Sequence, residues 1–450
     1  MTDHRTLEDL ARALAARNVT AESITRECLT RIDRIDSVTN AFITVLPDRA
    51  LAAARAADDD AAAGRLRGPL HGVPISLKDI IDVTGVPTTA ASAVRRGHVA
   101  TRDAVVVQRL EGAGAVIIGK TNLHEFALGP TNDESAFGPV HHPLNHALSS
   151  GGSSGGSAVS VATGMAWASI GTDTGGSIRI PAAACGVVGL KPSFGDVPID
   201  GVVPLSTSFD HVGPLCRSVG DARLLFDVLT AHSGPAGPPL RAAGLRLGIP
   251  RDYFLDHVEP AVLVSFDRAC DRLRDAGVTI DTVSIPAVRD TGPIYVCVAL
   301  AEAAEYHART IEAHPEAYTA PIRVRLQAGR HILAEDYLRA QRGRHRLTAD
   351  VDAALAGYDA LLLPTLPVTA QPIGAATVRL GDWEEPVRNT MLRLTQVFNV
   401  TGHPALTMPA TPTAEGLPVG LQLVGPRGGT RHLLHVAAAV EPIAGHPFAC

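Results

Sequence analysis

Leu7, Leu10, Leu14, Ile24, Leu29, Ile32 and Ile35 recur at helix-like spacing along the start of the chain, as on a buried helix face. The pattern breaks at residues 18–20, and Thr20 with Ser23 supplies capping hydroxyls for a second helix. Residues 41–46 then read as a short strand and the alanine-rich stretch 50–63 as another helix. Residues 1–65 are thus expected to form a helical N-terminal region. From Gly68 the texture changes: short β-branched runs (73–77, 115–118, 186–190) alternate with turns rich in Gly, Pro and Ser, with helical stretches at 103–112 and 157–165. Helical patterns mark 220–350, as at 262–275 and 333–354, and strand-like runs return at 360–363 and 419–424. This alternation predicts the α/β class, a single large domain over 1–450 with a twisted, mostly mixed sheet flanked by helices. No internal repeat or linker interrupts it, and the Gly/Pro stretch 234–239 is expected to be a surface loop.

Composition narrows the function. The 450 residues are 46% hydrophobic and 19% charged, with net charge −6, so neither a disordered chain nor a dedicated nucleic-acid binder is expected. The six cysteines, Cys28, Cys185, Cys216, Cys270, Cys297 and Cys450, form no CxxC pair, and neither a zinc site nor a redox motif is indicated. The polar N-terminus is unlike a signal peptide, and the apolar run 158–170 is too short for a bilayer. A cytoplasmic protein without membrane or nucleic-acid partners is the expectation. Of 40 cationic side chains only Lys78, Lys120 and Lys191 are lysines. Arginine stays protonated in a protein whereas a buried lysine can lose its proton, so these three are candidates for chemistry.

Several motifs compete. Gly114–Thr121 satisfies the phosphate-loop pattern GxxxxGKS/T, but its Val-Ile-Ile puts strand residues where the loop needs open backbone. A nucleotide-binding protein using Gly114–Thr121 is a distant alternative. The stretch 151–157 contains GxSxG, yet the preceding residues are a poor strand for a nucleophile elbow. His142 and His146 are spaced HxxxH, but Pro143 lies between them and argues against a metal-binding helix. The run GTDTGGSIRIP (171–181) sets Ser177 directly after two glycines, where unobstructed amides can converge as an oxyanion hole, and a turn closed by Asp173–Arg179 is compatible with that. Lys78 sits in the apolar run 73–81, where burial would lower its pKa; pairing with Asp79 or Asp82 is the competing reading.

Together these segments resemble the amidase signature family. The matching stretches are GPLHGVPISLKD (68–79), GKTNLHEFALG (119–129), ESAFGP (134–139), GGSSGGSAVSVATG (151–164), GTDTGGSIRIP (171–181), CGVVGLKPSFG (185–195), GHPALTMP (402–409) and GLPVGLQLVG (416–425). The resemblance covers nearly the whole chain and is weakest at about 225–355. It implies the amidase signature fold, with 220–355 as a variable substrate-side region.

The resemblance also implies a Ser-Ser-Lys triad: Ser177 as nucleophile, Ser153 as bridging serine after a cis peptide at Gly152–Ser153, and Lys78 as base. The amides of Thr174, Gly175, Gly176 and Ser177 would receive the oxyanion, and Ser154, Asp173 and Arg179 would support the site. Lys120 and Lys191 have no triad role in this scheme, and a structural ion pair or carbonyl contact is expected for each. No metal or cofactor is implied. The activity implied is hydrolysis of small amides, with esters, anilides or carbamates as further substrates, through an acyl-enzyme. The acyl pocket is expected from 290–400, with Tyr306 and Phe398 as candidates. The alternative is the A subunit of a glutamine-dependent tRNA amidotransferase. Against it stand Ile180, where that group typically has Gln, and Leu148 and Ser150, where it usually has Arg and Pro. Sequence does not fix the oligomeric state, and a homodimer stays open.

Overall fold

Thr6 and Thr20 accept hydrogen bonds from the amides of Asp9 and Ser23, both at 3.1 Å, and so start the helices Leu7–Ala15 and Ala21–Thr39. A third helix, Pro47–Ala62, completes the N-terminal region. The computed structural model describes residues 6–232 and 239–445. The expected loop at 234–239, apart from Pro239, and Cys450 lie outside the described residues.

Thirteen strands are described: β1 (Phe42–Val45), β2 (Pro74–Lys78), β3 (Val116–Thr121), β4 (Ala168–Asp173), β5 (Val188–Lys191), β6 (His211–Cys216), β7 (Arg246–Pro250), β8 (Thr279–Val283), β9 (Ala360–Pro364), β10 (Thr377–Leu380), β11 (Trp383–Pro386), β12 (Ala405–Pro409) and β13 (Gly420–Val424). Eleven form one mixed sheet in the order β1-β3-β2-β4-β6-β5-β12-β13-β9-β7-β8, while β10 and β11 form a separate hairpin. The β3-β2-β4 and β9-β7-β8 portions are parallel, and the remaining pairs are antiparallel. The fold is the single α/β domain with flanking helices that the alternation predicted.

The strand at 116–121 disposes of the phosphate loop. Gly119, Lys120 and Thr121 are buried ladder residues opposite β1 and β2, with Lys120 paired in register to Thr44 and Leu77. Gly119 answers to close packing: a Cβ there would fall 2.6 Å from the Thr44 carbonyl oxygen.

Two short helices frame the centre of the sheet. Gly155–Ala162 is buried at every residue and packs on β2, β3, β4 and β6. Arg179–Cys185 is likewise wholly buried and packs on β5, β12 and β13. Small side chains let these helices sit close to the sheet, and each starts within one of the Gly/Ser motifs. Among the described residues no helix is long and apolar enough to cross a membrane, and no group of three His, Cys, Asp or Glu could hold a metal ion.

Candidate active site

Lys78 ends β2 with no exposure, among the buried Ile75, Leu77, Ile80 and Ile81. Its Nζ lies 2.7 Å from Ser153 Oγ and 2.8 Å from Thr172 Oγ1 on the neighbouring β4. Asp79 is engaged elsewhere, 2.9 Å from Lys120 Nζ and bonded to Thr89, and among the described residues Lys78 forms no ion pair with Asp79 or Asp82. Burial pulls Lys78 down to about 7, against a partial lift from the Asp173 and Asp210 carboxylates. A substantial fraction of such lysines is thus neutral near neutral pH, able to accept a proton from the hydroxyl they touch.

Lys120 and Lys191 serve differently. Lys120 is held by Asp79, the Pro87 carbonyl and Thr88 Oγ1, and Lys191 donates to the Pro192 carbonyl at 2.9 Å beside His211 Nε2 at 3.2 Å. Neither touches a serine of the Gly/Ser motifs among these contacts.

Ser153 follows a cis Gly152–Ser153 peptide. Its neighbour Ser154 donates from its amide to the Ser177 carbonyl at 3.2 Å and from Oγ to the Thr172 carbonyl at 3.1 Å. That residue therefore ties the Gly/Ser loop both to β4 and to the 174–177 turn. Ser177 keeps 5% exposure where Lys78 and Ser153 have none, so it is the member that faces the outside of the site.

The turn between β4 and helix Arg179–Cys185 has its carbonyls tied back. The Gly175 carbonyl accepts from Thr395 Oγ1 at 2.7 Å, and the Gly176 carbonyl from the Ile180 amide at 2.7 Å. Across a planar trans peptide the N–H points opposite to the C=O, so the amides of Gly176 and Ser177 are turned the other way. Among the described residues nothing accepts a hydrogen bond from the amides of Gly175, Gly176 or Ser177. Thr174 is anchored through its Oγ1, 2.6 Å from Asp210 Oδ1. Burial pushes the Asp210 carboxyl up to about 6, although Thr174 and the Leu205 and Ser206 amides bond to it.

Asp173 and Arg179 form a wholly buried two-pronged pair, Nε–Oδ2 and Nη2–Oδ1 both at 3.0 Å. Arg179 also reaches Gln422 Oε1 at 2.7 Å and Asn399 Oδ1 at 2.6 Å, and Asn399 Nδ2 returns to Asp173 Oδ1 at 2.8 Å. Burial alone would raise the Asp173 carboxyl; Arg179, Lys191 and Asn399 overcome that and hold it below its ordinary range. The pair is thus a permanent charge clamp under the turn.

Ser177 opens on a narrow recess lined by Leu128, Leu205, Tyr295, Arg388 and Leu392, among others. Neither side chain expected in the acyl pocket lines it. Phe398 has no exposure and stacks on Phe254 in the core, with centroids 6.2 Å apart. Tyr306 is exposed and lines a separate, wider recess with Glu302 and Tyr337. Tyr295, Arg388, Thr395, Asn399 and Asp210 escape a reading of the sequence alone. Thr172 lies in plain view inside the GTD motif, directly before Asp173.

Fold and site together put the protein among α/β enzymes that hydrolyse carbon–nitrogen bonds other than peptide bonds. The chain belongs to the Amidase family, whose sequence model matches residues 23–434. It is similar to the A subunit of the glutamyl-tRNA(Gln) amidotransferase of Chloroflexus aurantiacus, 38% identical over 475 residues, 97% of this chain and 96% of the relative. An amidase of Pseudomonas putida is 40% identical over 428 residues, 92% of this chain and 90% of that protein. A solved structure described as an amidase superposes with a TM-score of 0.93 at 37% identity, covering 98% of this chain and 100% of that one.

Proposed function

We propose that the protein hydrolyses small amides through an acyl-enzyme on Ser177. Neutral Lys78 takes a proton from Ser153, which takes one from Ser177. The Ser177 oxygen then bonds to the substrate carbonyl carbon, and the C=O π pair becomes an oxyanion received by the amides of residues 174–177. Collapse of this intermediate breaks the C–N bond, and the departing amine takes the proton back from Lys78 through Ser153. Water repeats the sequence and releases the carboxylic acid. The observation that carries this reading is Lys78 Nζ at 2.7 Å from Ser153 Oγ, buried and, among the described residues, without a carboxylate in ion-pair contact. Asp173 and Arg179 hold the turn; Ser154 joins its two halves. In this reading the 220–355 region, which contributes Tyr295 to the recess, is the substrate side.

A second reading, the amidotransferase A subunit, is favoured by the similarity to the Chloroflexus protein. Ile180 speaks against it, since its apolar side chain packs on Gly151 and Gly176 at the turn where that group typically carries an amide. Leu148 and Ser150 depart in the same direction. Ser177→Ala tests the main reading: hydrolysis of a panel of amides, anilides, carbamates and esters should fall about 10,000-fold or more while the folded spectrum is retained. Retained activity overturns it. Ammonia release from glutamine and co-purification with a second subunit would favour the second reading.

A further inference from the structure

Arg388 stands out among the residues around Ser177. It lines the recess, yet among the described residues it has no ion pair and no hydrogen bond to a protein acceptor. Its charge and the Tyr295 ring hydroxyl act on each other, and burial draws the guanidinium down from its ordinary value without discharging it. A second guanidinium is near: Arg325 donates to the carbonyl of Leu128, another wall of the recess, and burial together with the Arg388 charge draws it down. Against this, Glu134 lifts Arg325 in part.

The Tyr295 hydroxyl is close by. A Cβ on Gly175 would fall 2.8 Å from Tyr295 Oη, so the phenol stands against the turn that carries Ser177. The rest of the lining is largely aliphatic, with Leu128, Leu205, Leu300 and Leu392. Arg388 is half-buried, and a cation among apolar walls gains when an anion arrives to pair with it. A guanidinium fork matches a carboxylate, and a phenol adds one further donor.

We propose that Arg388, with Tyr295 beside it, anchors a carboxylate on the substrate, so that the preferred substrates are small amides bearing an anionic group. This rests on the Ser177 reading and names its substrate class. The narrow recess favours a short chain between the scissile carbonyl and the carboxylate.

The test compares succinamate with succinamide, which differ by a carboxylate against a neutral amide. Wild type should turn over succinamate with the higher kcat/KM. In Arg388→Met the ratio of the two should fall about 10- to 100-fold, and Arg388→Lys should recover part of it. A wild-type ratio near one, or a ratio unchanged in Arg388→Met, overturns the proposal. A reading without turnover or variants uses a fluorophosphonate probe on wild type: succinamate should slow labelling of Ser177 more than succinamide does. Failure to label Ser177 strikes the acyl-enzyme reading itself. Labelling that succinamate slows no more than succinamide strikes only the carboxylate anchor.

Discussion

From Ser149 to Ser193 every residue except Thr163 is buried, whereas the helices Thr291–Ala313, Ala320–Gly329 and Ala334–Leu355 show solvent every few residues. The inner stretch has no polar face to spend on water. Its hydroxyls, amides and charges must be partnered within the fold or held for chemistry, and small residues are needed to bring them close. The outer helices need only keep one side apolar, so many sequences serve. Reaction chemistry is therefore written in fixed order along the inner stretch and β2, while substrate choice is spread over positions that burial constrains weakly.

The largest effect should come from breaking the inner chemistry without changing its charge. Lys78→Arg keeps a cation but removes the proton acceptor, so kcat/KM at neutral pH should fall about 1,000-fold, nearly as far as in Lys78→Ala. Substantial activity retained in Lys78→Arg at neutral pH would rule out the base role. In wild type, kcat/KM should drop with unit slope as pH falls below about 7, because the protonated amine cannot accept from Ser153. Stability carries the same sign. The folded pKa lies below the unfolded value, so stability present above about 10.4 is lost as pH falls toward 7. Denaturation midpoints of wild type and Lys78→Met, compared over that range, should diverge by an amount worth up to about 5 kcal/mol.

A pair of glycines contrasts the two regions next. Gly176 has φ +138°, and a Cβ there would fall 2.2 Å from Thr395 Oγ1, so Gly176→Ala should cost about 3 kcal/mol and most of the activity. Gly343 lies in the outer helix Ala334–Leu355, where a Cβ would meet only the end of the Ile294 side chain at 3.0 Å. Gly343→Ala should stay within about 1 kcal/mol of wild type, since helix propensity offsets the crowding. Urea midpoints of the two variants check this; equal losses would erase the distinction between a tight inner turn and a tolerant outer helix.

The same contrast explains what could be read in advance. The helix start at Thr20, the alternating core and the turn around Asp173, Ser177 and Arg179 are local patterns, and local patterns survive in a linear sequence. Gly119-Lys120-Thr121 could be freed of phosphate binding because their β-branched neighbours demanded a strand. The groups that finish the site come from far along the chain. Asn399 and Gln422 meet Arg179 across 220 and 243 residues, and Thr395 meets Gly175 across 220. No spacing rule reports such contacts, because the sheet order that creates them is set by packing of the whole domain.

The two tyrosines of helix Thr291–Ala313 give the smallest and most discriminating effect. Tyr295 and Tyr306 are separated by about three helical turns, and so point to the same side roughly 16 Å apart. Periodicity alone cannot choose between them, and the candidate read from sequence is the one that faces the wider, outer recess. Tyr295 is 5% exposed and reaches the turn at Gly175, whereas Tyr306 is 41% exposed. Tyr295→Phe removes one neutral hydrogen-bond donor at the site, so kcat/KM for a substrate amide should fall about 2- to 10-fold. Tyr306→Phe removes a hydroxyl that water already serves, and its kcat/KM should stay within about 2-fold of wild type. If the Tyr306 variant loses more than the Tyr295 variant, substrate is held in the outer recess, and the boundary between the reacting region and the selecting region lies about three turns further along this helix.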